Sequence, residues 1–452
     1  MFTVAGAVSL LAAAEEEAPL LLRCCVEALR WTPPDDPVVI AALFPPAFCR
    51  RLRAWKFTGI FCAGICIGKK YPVGSKHGVN ESRIYGLVGD KGDGWIQPLH
   101  PATSVTGYIW FGQGMQSTIE TISEQHWQDF SGKRAVITGG LGLIGSALAR
   151  RLVRSGAEVT LIDNLAAEQG GNIFNINDLQ DKVRVEKRDI AETGALAPFL
   201  AGADFLFNLA ARTSHLGSMR NPLDDLDVNC RAQLALLETC RQVNPRINIV
   251  FAGTRQIYGR PRYLPVDEAH PLRPPDVNGV GKMAGEAYHL LYHDAYGMRV
   301  SALRLTNTYG PGMRIKDAHQ TFVGIWLRRV LEGEAFELWG GEQRRDFLYV
   351  EDAVEAFLCA ATNPEANGKA FNVGGSAVVT LRQLAEALIA VHGGGSFEQR
   401  EFPPERKRID IGDYFSDDSR FRAATGWAPR VSVEAGLRRS LDFFRTHLAH
   451  YV

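Results

Sequence analysis

The sequence has no excess charge of either sign and no long apolar run. Lys plus Arg and Asp plus Glu each number 50, so the formal net charge is zero. This balance argues against a nucleic-acid-binding protein, which usually carries a strong basic excess. No apolar stretch is long enough, and free enough of charge, to form a membrane-spanning helix. We therefore expect neither a nucleic acid nor a membrane among the partners of this chain.

Cysteine is also scarce, with eight in 452 residues. Cys62 and Cys66 have the wrong spacing for a zinc knuckle and lack a second ligand pair. We therefore predict no metal site and interpret the cysteines as reduced structural thiols. The apolar residues 2–14 lack the basic segment that opens a secretory signal, and three glutamates follow them. This pattern indicates a cytoplasmic protein.

The first quarter of the chain differs in character from the rest. Residues 1–114 show no sustained helical or strand period, and they contain two Pro-Pro pairs and many scattered glycines. We assign this N-terminal extension no fold. Partial disorder is one interpretation, against which its high aromatic and apolar content speaks. A polar, helix-like segment, 116–130, follows Met115, which suggests the hypothesis that the native chain starts at Met115.

From Lys133 onwards, short apolar strands alternate with helical stretches. Strands are predicted at 135–137, 158–162, 183–186, 205–209, 247–251 and 299–304. Helices are predicted between them, for example at 146–155, 232–242 and 282–296. This alternation is typical of an α/β fold with a doubly wound parallel sheet.

A glycine turn follows the first strand and opens the first helix, with Gly139, Gly142 and Gly145 three residues apart. The first glycine permits a tight turn, the second lets the backbone approach a pyrophosphate, and the third lets the helix pack on the strand. The helix N-terminus adds free N–H groups and a positive dipole. The strand–turn–helix context supports a dinucleotide site. We predict a Rossmann domain at 115–305 and a smaller C-terminal α/β substrate domain at 306–452, with some later segments returning to the Rossmann domain.

Acidic residues follow the next two strands. Asp163 and Asn164 end the second strand, about 20 residues beyond the glycine turn, where an acid accepts hydrogen bonds from the adenosine ribose. Because a carboxylate repels a 2′-phosphate, Asp163 favours NAD over NADP. Asp189 and Ile190 follow the third strand, where an acid can meet the adenine amino group. A solvated turn is an equally good interpretation of Asp189.

Several ordered motifs resemble those of the extended short-chain dehydrogenase/reductase family, the nucleotide-sugar epimerases and dehydratases. The resemblance covers about residues 130–445 and includes the UDP-glucose 4-epimerase-like members. It rests on the segments 138–145, 208–211, 254–259, 303–311, 345–352, 371–375 and 426–429.

The resemblance implies which residues hold NAD. Leu143 and Ile144 of the glycine turn, together with Ala210 and Ala211 after the fourth strand, would line the cofactor. Lys282 would bind the nicotinamide ribose, although an exposed residue at a helix start is the alternative for this lysine. The resemblance also implies a homodimer.

The substrate implied by the resemblance is a nucleotide-diphosphate sugar. Thr254 would be the active-site hydroxyl that bonds the reacting oxygen of the sugar. Asn307 and Arg345 would hold the diphosphate, for which the planar fork of arginine is well suited. The structural alternatives are a strand-end turn for Thr254 and a salt bridge for Arg345.

One position departs from the family pattern. A tyrosine normally lies four residues before the active lysine and acts as the base, but here that position is Asn278. An amide takes no proton near neutral pH, so the usual base is absent. His215, Tyr258, or a water held by Asn278 and Thr254 could replace it. Alternatively, the enzyme is slow, or it binds NAD and a sugar nucleotide without turnover.

The residues after Thr254 bear on the reaction type. Dehydratases of the family carry an Asp-Glu pair there, whereas this chain has Arg255 and Gln256. A 4-epimerase needs no extra carboxylate. We therefore predict NAD-dependent epimerisation at C4, with Asn278 donating a hydrogen bond to the keto oxygen. The alternatives are a dehydratase, decarboxylase or dehydrogenase of the same family, or a non-catalytic NAD- and nucleotide-sugar-binding protein.

Overall fold

The computed structural model describes residues 129–166, 169–317 and 321–452, and two short strands before them. The chain divides into two compact units, 1–116 and 117–452. In the first unit, the strands Phe61–Cys62 and Ile65–Cys66 pair antiparallel. The rest of the N-terminal extension and the helix-like segment up to residue 128 lie outside the described residues.

A seven-stranded parallel sheet forms the centre of the second unit. Its strands are β1 (Arg134–Thr138), β2 (Glu158–Ile162), β3 (Val183–Glu186), β4 (Phe205–Asn208), β5 (Asn248–Thr254), β6 (Arg299–Leu305) and β10 (Lys369–Val373). The order across the sheet is β3-β2-β1-β4-β5-β6-β10. Strands are added in one direction from β1 to β3 and in the other direction from β4 to β10. Rossmann folds bind their ligands at this switch point, which lies here between β1 and β4. The predicted fold class is confirmed.

Helices cover the sheet and connect its strands. They are α1 (Leu143–Arg154), α2 (Thr193–Leu200), α3 (His215–Arg220), α4 (Pro222–Leu226), α5 (Ala232–Val243), α6 (Val277–Tyr296) and α8 (Val350–Thr362). α1 illustrates why they pack there, because Leu148, Ala149 and Leu152 form a buried stripe facing the strands. None of the helices that the structure describes is long and apolar enough to cross a membrane.

Helix α6 begins five residues earlier than predicted. Asp276 is its N-cap, and Asp276 Oδ1 accepts a hydrogen bond from the Gly279 backbone N–H at 2.7 Å. The predicted start, Lys282, therefore lies in the second turn of the helix. The two glycines before Lys282, Gly279 and Gly281, hid this turn, because glycine is a poor helix former and the cap outweighs that preference.

The C-terminal part contributes two small sheets and a second core. β7 (Asn307–Tyr309), β9 (Arg344–Tyr349) and β11 (Val378–Thr380) form one sheet, and β8 (Phe336–Trp339) pairs parallel with β12 (Phe397–Arg400). The remaining helices are α7 (Phe322–Leu331), α9 (Leu381–His392), α10 (Pro404–Ile409), α11 (Ser419–Thr425) and α12 (Val433–His447). Side chains from α7, α9 and α12 pack together in this second core.

A buried polar network fixes α6 against the sheet. Arg304 of β6 donates to Glu286 of α6 at 2.6 Å and to the hydroxyl of Tyr258 at 2.7 Å. That hydroxyl in turn donates to Asn372 Oδ1 of β10 at 2.7 Å. All four residues are buried. Because a buried charge that loses its partner is costly, this network fixes the helix position strongly.

We predict that Glu286→Gln destabilises the protein by about 3 kcal/mol, because the buried Arg304 guanidinium loses its counter-charge. Glu351→Gln, which weakens the solvent-exposed pair with Arg439, is the matched control and should cost less than about 0.5 kcal/mol. Urea unfolding of both variants measures the difference. Equal costs would show that the network does not hold α6.

Candidate functional site

The glycine turn makes a tight passage between β1 and α1. Gly139 has φ +66°, and a Cβ there would lie 3.0 Å from the Ala210 backbone nitrogen. A Cβ at Gly145 would overlap the Gly139 carbonyl oxygen. Gly142 is the N-cap of α1 and offers no side chain, so no side chain caps the first turn. The backbone N–H groups of the first turn of α1 are therefore available to an anion.

A cavity of about 350 Å³ lies against this turn at the carboxyl ends of the strands, and we call it the glycine-loop cavity. Such a volume is in the range of small-molecule sites. All of the predicted cofactor residues line it: Gly139, Gly142, Leu143, Ile144, Gly145, Asp163, Asn164, Asp189, Ile190, Ala210, Ala211 and Lys282. Thr254, Asn278 and Asn307, three further predicted site residues, line the same cavity.

Acidic and amide groups form one end of the glycine-loop cavity. The carboxylate of Asp163 accepts backbone N–H groups from Leu141 at 3.0 Å and Leu165 at 2.9 Å. Burial raises the pKa of Asp163 in spite of these two hydrogen bonds. Asn164 donates to Asp189 at 2.7 Å, which places the Asp189 carboxylate on the cavity wall. A hydroxyl-bearing ligand would meet acceptors at this end.

Thr254 and Lys282 lie on another part of the wall. The Thr254 hydroxyl oxygen accepts the Gln256 backbone N–H at 3.2 Å, which leaves its own hydrogen for a ligand. Lys282 is only 6 % exposed, and its ammonium lies 4.4 Å from the ring centroid of Phe251. Burial lowers the pKa of Lys282 to about 8, although the nearby Asp225 raises it. An exposed position for this lysine, the alternative interpretation, is therefore wrong.

The Asn278 side chain is committed to the protein. Its Nδ2 donates to the Arg212 carbonyl oxygen at 2.6 Å and to Asp225 Oδ2 at 3.1 Å. The two acceptors fix the orientation of the amide, because a reversed amide would bring its oxygen against both of them. No amide hydrogen is left for the keto oxygen that we expected Asn278 to contact. That expected contact is not part of this arrangement.

His215 and Asp276 form a pair at the same cleft. His215 Nδ1 lies 3.0 Å from Asp276 Oδ2, although the ring N–H is not aligned for a hydrogen bond. The Asp276 side chain is fully buried and also accepts from Gln256 Nε2 at 2.8 Å and from the Gly279 N–H. Burial raises the pKa of Asp276, but the His215 contact and these donors outweigh it, so the pKa is lowered.

Asp276 had no assigned role in the sequence. Its position just before a helical stretch could have shown it to be an N-cap, as helix starts commonly use aspartate. Nothing in the sequence could show that His215, 61 positions earlier, would lie against it.

A second cavity, of about 680 Å³, shares His215, Asn307 and Thr321 with the first, and we call it the arginine cavity. Arginines from several elements line it: Arg220, Arg255, Arg329, Arg345 and Arg406. Arg255 Nη2 donates to Asn307 Oδ1 at 2.8 Å. Arg255 Nη1 and Asn307 Nδ2 are buried and have no acceptor within the described part of the chain.

Arg345 forms the salt bridge that was its structural alternative, while its role towards a diphosphate stays a prediction. Its guanidinium donates to the backbone oxygens of Arg344 and Gly412 and lies 3.4 Å from Asp410. It also lines the arginine cavity. Burial and the neighbouring Arg255 lower the pKa of Arg345 to about 10. An anionic ligand in this cavity would stabilise the two neighbouring guanidinium groups of Arg255 and Arg345.

Three comparisons with known proteins found similar sequences and structures. The model of the NAD dependent epimerase/dehydratase family matches residues 135–374. UDP-glucose 4-epimerase of Mycolicibacterium smegmatis is 32% identical over 318 residues, which are 69% of this chain and 98% of that protein. UDP-glucuronic acid decarboxylase 1 of Xenopus tropicalis is 29% identical and is matched over 70% of this chain and 73% of its own length.

Among solved structures, UDP-glucose 4-epimerase of Thermus thermophilus in complex with NAD is similar to this chain. Its TM-score is 0.61 at 30% identity, and the match covers 69% of this chain and 99% of that one.

The buried ammonium of Lys282 generates a pH-dependent prediction. Its pKa falls from 10.5 in the unfolded chain to about 8 in the folded protein. Below pH 8 the cost of burying the charge opposes folding in full, and it disappears as the pH rises towards 10.5. Lys282→Met should therefore stabilise the protein by about 1–3 kcal/mol at pH 7, with the gain shrinking by pH 9.5.

Urea unfolding at the two pH values measures this gain. Lys369→Met, at a half-exposed lysine, is the control and should change little at either pH. A Lys282→Met protein less stable than the original at pH 7 would contradict the prediction.

Proposed function

Because the chain belongs to the NAD-dependent epimerase/dehydratase family, we propose that it epimerises a nucleotide-diphosphate sugar at C4 with the help of NAD. The observation that carries this proposal is the joined pair of cavities. One has an open helix N-terminus and acidic acceptors. The other has buried arginine and asparagine donors that lack an acceptor in the part of the chain that the structure describes.

The glycine-loop cavity fits NAD. The uncapped N-terminus of α1 would take the pyrophosphate, and the absence of side chains at Gly139 and Gly145 lets the turn pack tightly enough to present that N-terminus. Asp163 would accept the adenosine ribose hydroxyls, with Asp189 near the adenine. Lys282 would bind the nicotinamide ribose. When bound, NAD supplies a hydride acceptor that can return the hydride to the same substrate.

The arginine cavity fits the diphosphate of the substrate. Arg255 Nη1 and Asn307 Nδ2 are buried donors without an acceptor among the described residues, which is costly unless a ligand supplies one. Arg345 adds a second guanidinium beside Arg255. Phosphate oxygens are acceptors of the right charge for these three groups. We also propose that the protein acts as a homodimer, as the resemblance to its family suggests.

The side chains after Thr254 favour epimerisation over dehydration. The two residues after Thr254, Arg255 and Gln256, carry no carboxyl group that could help to eliminate water. Arg255 donates to Asn307, and Gln256 donates to Asp276. Thr254 would hold the reacting oxygen of the sugar with its free hydroxyl hydrogen. Asn278 would anchor α6 to the segment around Arg212 rather than contact the sugar.

Binding without turnover is the second candidate. The observation that favours it is Asn278, whose amide cannot act as the base that the family places four residues before the lysine.

We predict that the purified protein converts at least one nucleotide sugar in a panel to its C4 epimer. Product analysis by NMR and mass spectrometry should show an equilibrium mixture of the two epimers, with no net accumulation of NADH. Tight NAD binding without any product from the panel would instead establish the second candidate. A product that has lost water or carbon dioxide would establish a dehydratase or decarboxylase.

A second prediction concerns Arg255. Arg255→Met should weaken the binding of UDP, used as the diphosphate probe, by about tenfold or more, because one charge-assisted donor is lost. The affinity for NAD should stay within about twofold. Arg344→Met is the matched control, because Arg344 precedes Arg345 in the sequence but pairs with Asp413 at the surface. Unchanged UDP binding, measured by calorimetry, would show that the arginine cavity does not hold the diphosphate.

A further inference from the structure

Oxidation of a sugar hydroxyl needs a group that takes the proton, and the usual tyrosine is absent from this chain. Three substitutes are open from the sequence: Tyr258, a water held by Asn278 and Thr254, and His215. The contacts of each decide between them.

Tyr258 is unsuited to the task. Its ring is fully buried, and its hydroxyl is held between Arg304 Nη1 and Asn372 Oδ1, both at 2.7 Å. Burial raises the pKa of Tyr258 to about 12, in spite of the nearby Arg304. The side chain lines neither the glycine-loop cavity nor the arginine cavity. A group in this position cannot reach the sugar.

A water held by Asn278 would be a weak acceptor. Both amide hydrogens of Asn278 are donated to Arg212 and Asp225, so only its amide oxygen can face a water. That oxygen is not basic, and the Thr254 hydroxyl is not basic either. No group at this position would therefore raise the basicity of the water.

His215 meets the requirements of position and chemistry. It begins α3 and lines both cavities, at the point where they adjoin, and it shares the glycine-loop cavity with Thr254 and Lys282. Its side chain is 35% exposed, so a ligand can reach the ring. Imidazole is the side chain most often used for proton transfer near neutral pH.

Asp276 provides the orientation that a catalytic histidine needs. Its buried carboxylate lies 3.0 Å from Nδ1, so the neutral ring is favoured with the hydrogen on Nδ1 and the lone pair on Nε2. The carboxylate also stabilises the ring once it has gained a proton.

We propose that His215, oriented by Asp276, is the catalytic base and acid of this site. This inference rests on the proposed epimerisation. His215 Nε2 takes the proton as the O–H bond of the sugar hydroxyl breaks, and the C4–H bond gives up its electron pair and hydrogen as a hydride, for which bound NAD would supply the acceptor. The C4 carbonyl forms in this step. In the reverse step the hydride returns to the opposite face of C4, and His215 returns the proton to the oxygen.

The first test compares kinetics. His215→Gln should lower kcat by 10²- to 10⁴-fold, the usual contribution of a positioned base, while KM and the NAD affinity stay within about threefold. Asp276→Asn keeps the cap of α6, because an amide oxygen can still accept the Gly279 N–H, and it should lower kcat by about tenfold or more. His392→Gln, at a histidine outside both cavities, is the control and should leave kcat unchanged.

The second test is chemical rescue. His215→Ala leaves a gap at the cleft, and added imidazole should restore a measurable part of kcat with saturation behaviour. A histidine that only holds the fold would not respond to imidazole in this way. Absence of rescue together with near-original activity of His215→Gln would overturn the assignment.

The third test does not depend on activity. ¹⁵N NMR of the histidine-labelled protein should show His215 with its hydrogen on Nδ1, and Asp276→Asn should shift the population towards the other tautomer. An unchanged tautomer in Asp276→Asn would overturn the orienting role of Asp276. If the original protein epimerises a sugar and His215→Gln is equally active, only this inference fails. If the original protein converts no sugar at all, the proposed function fails, and this inference fails with it.

Discussion

The buried carboxylate of Asp276 joins the parts of the site that the sequence keeps separate. It caps α6, the helix that carries Asn278 and Lys282. It accepts a hydrogen bond from Gln256, which fixes the turn that follows Thr254. It also lies against His215 at the start of α3. Each contact stabilises the charged carboxylate, and together they set the relative positions of the three elements around the cleft.

The same cleft concentrates buried charge at a cost in stability. Burial shifts the pKa of Lys282 to about 8 and that of Arg345 to about 10. Arg255 keeps one buried donor for which the described residues offer no acceptor. A protein selected for stability alone would replace these groups with apolar ones, so their presence supports the proposed ligands, which would compensate for them. The buried Arg304–Glu286 pair holds α6 rigidly enough for this arrangement to persist.

The sequence was sufficient for features that depend on neighbouring residues. β2 and β3 have the predicted bounds, because the mainly apolar run of β2 and the alternation of valines with charged residues in β3 are local signals for strands. Gly139 has the left-handed φ that the predicted tight turn requires. The predicted start of α6 was wrong, because Gly279 and Gly281 weaken the helical pattern before Lys282, while the capping carboxylate of Asp276 outweighs them.

Contacts between residues far apart in the chain could not be predicted from the sequence. Asn278 was identified as an unusual residue, but its hydrogen bonds go to Arg212 and Asp225, which are 66 and 53 positions away. The His215–Asp276 pair and the unsatisfied Arg255–Asn307 donors likewise depend on how loops from different strands meet. Parallel topology brings such loops to one edge of the sheet, but it does not specify which side chains touch.

We propose that these residues support transient oxidation at C4 with return of the same hydride. The most direct measurement uses a nucleotide sugar that carries deuterium at C4, together with the purified protein in ordinary water. We expect the C4 epimer to keep its deuterium fully, because the hydride removed from C4 never exchanges with solvent. Loss of the deuterium to water during epimerisation, or no epimer from any sugar, would contradict it.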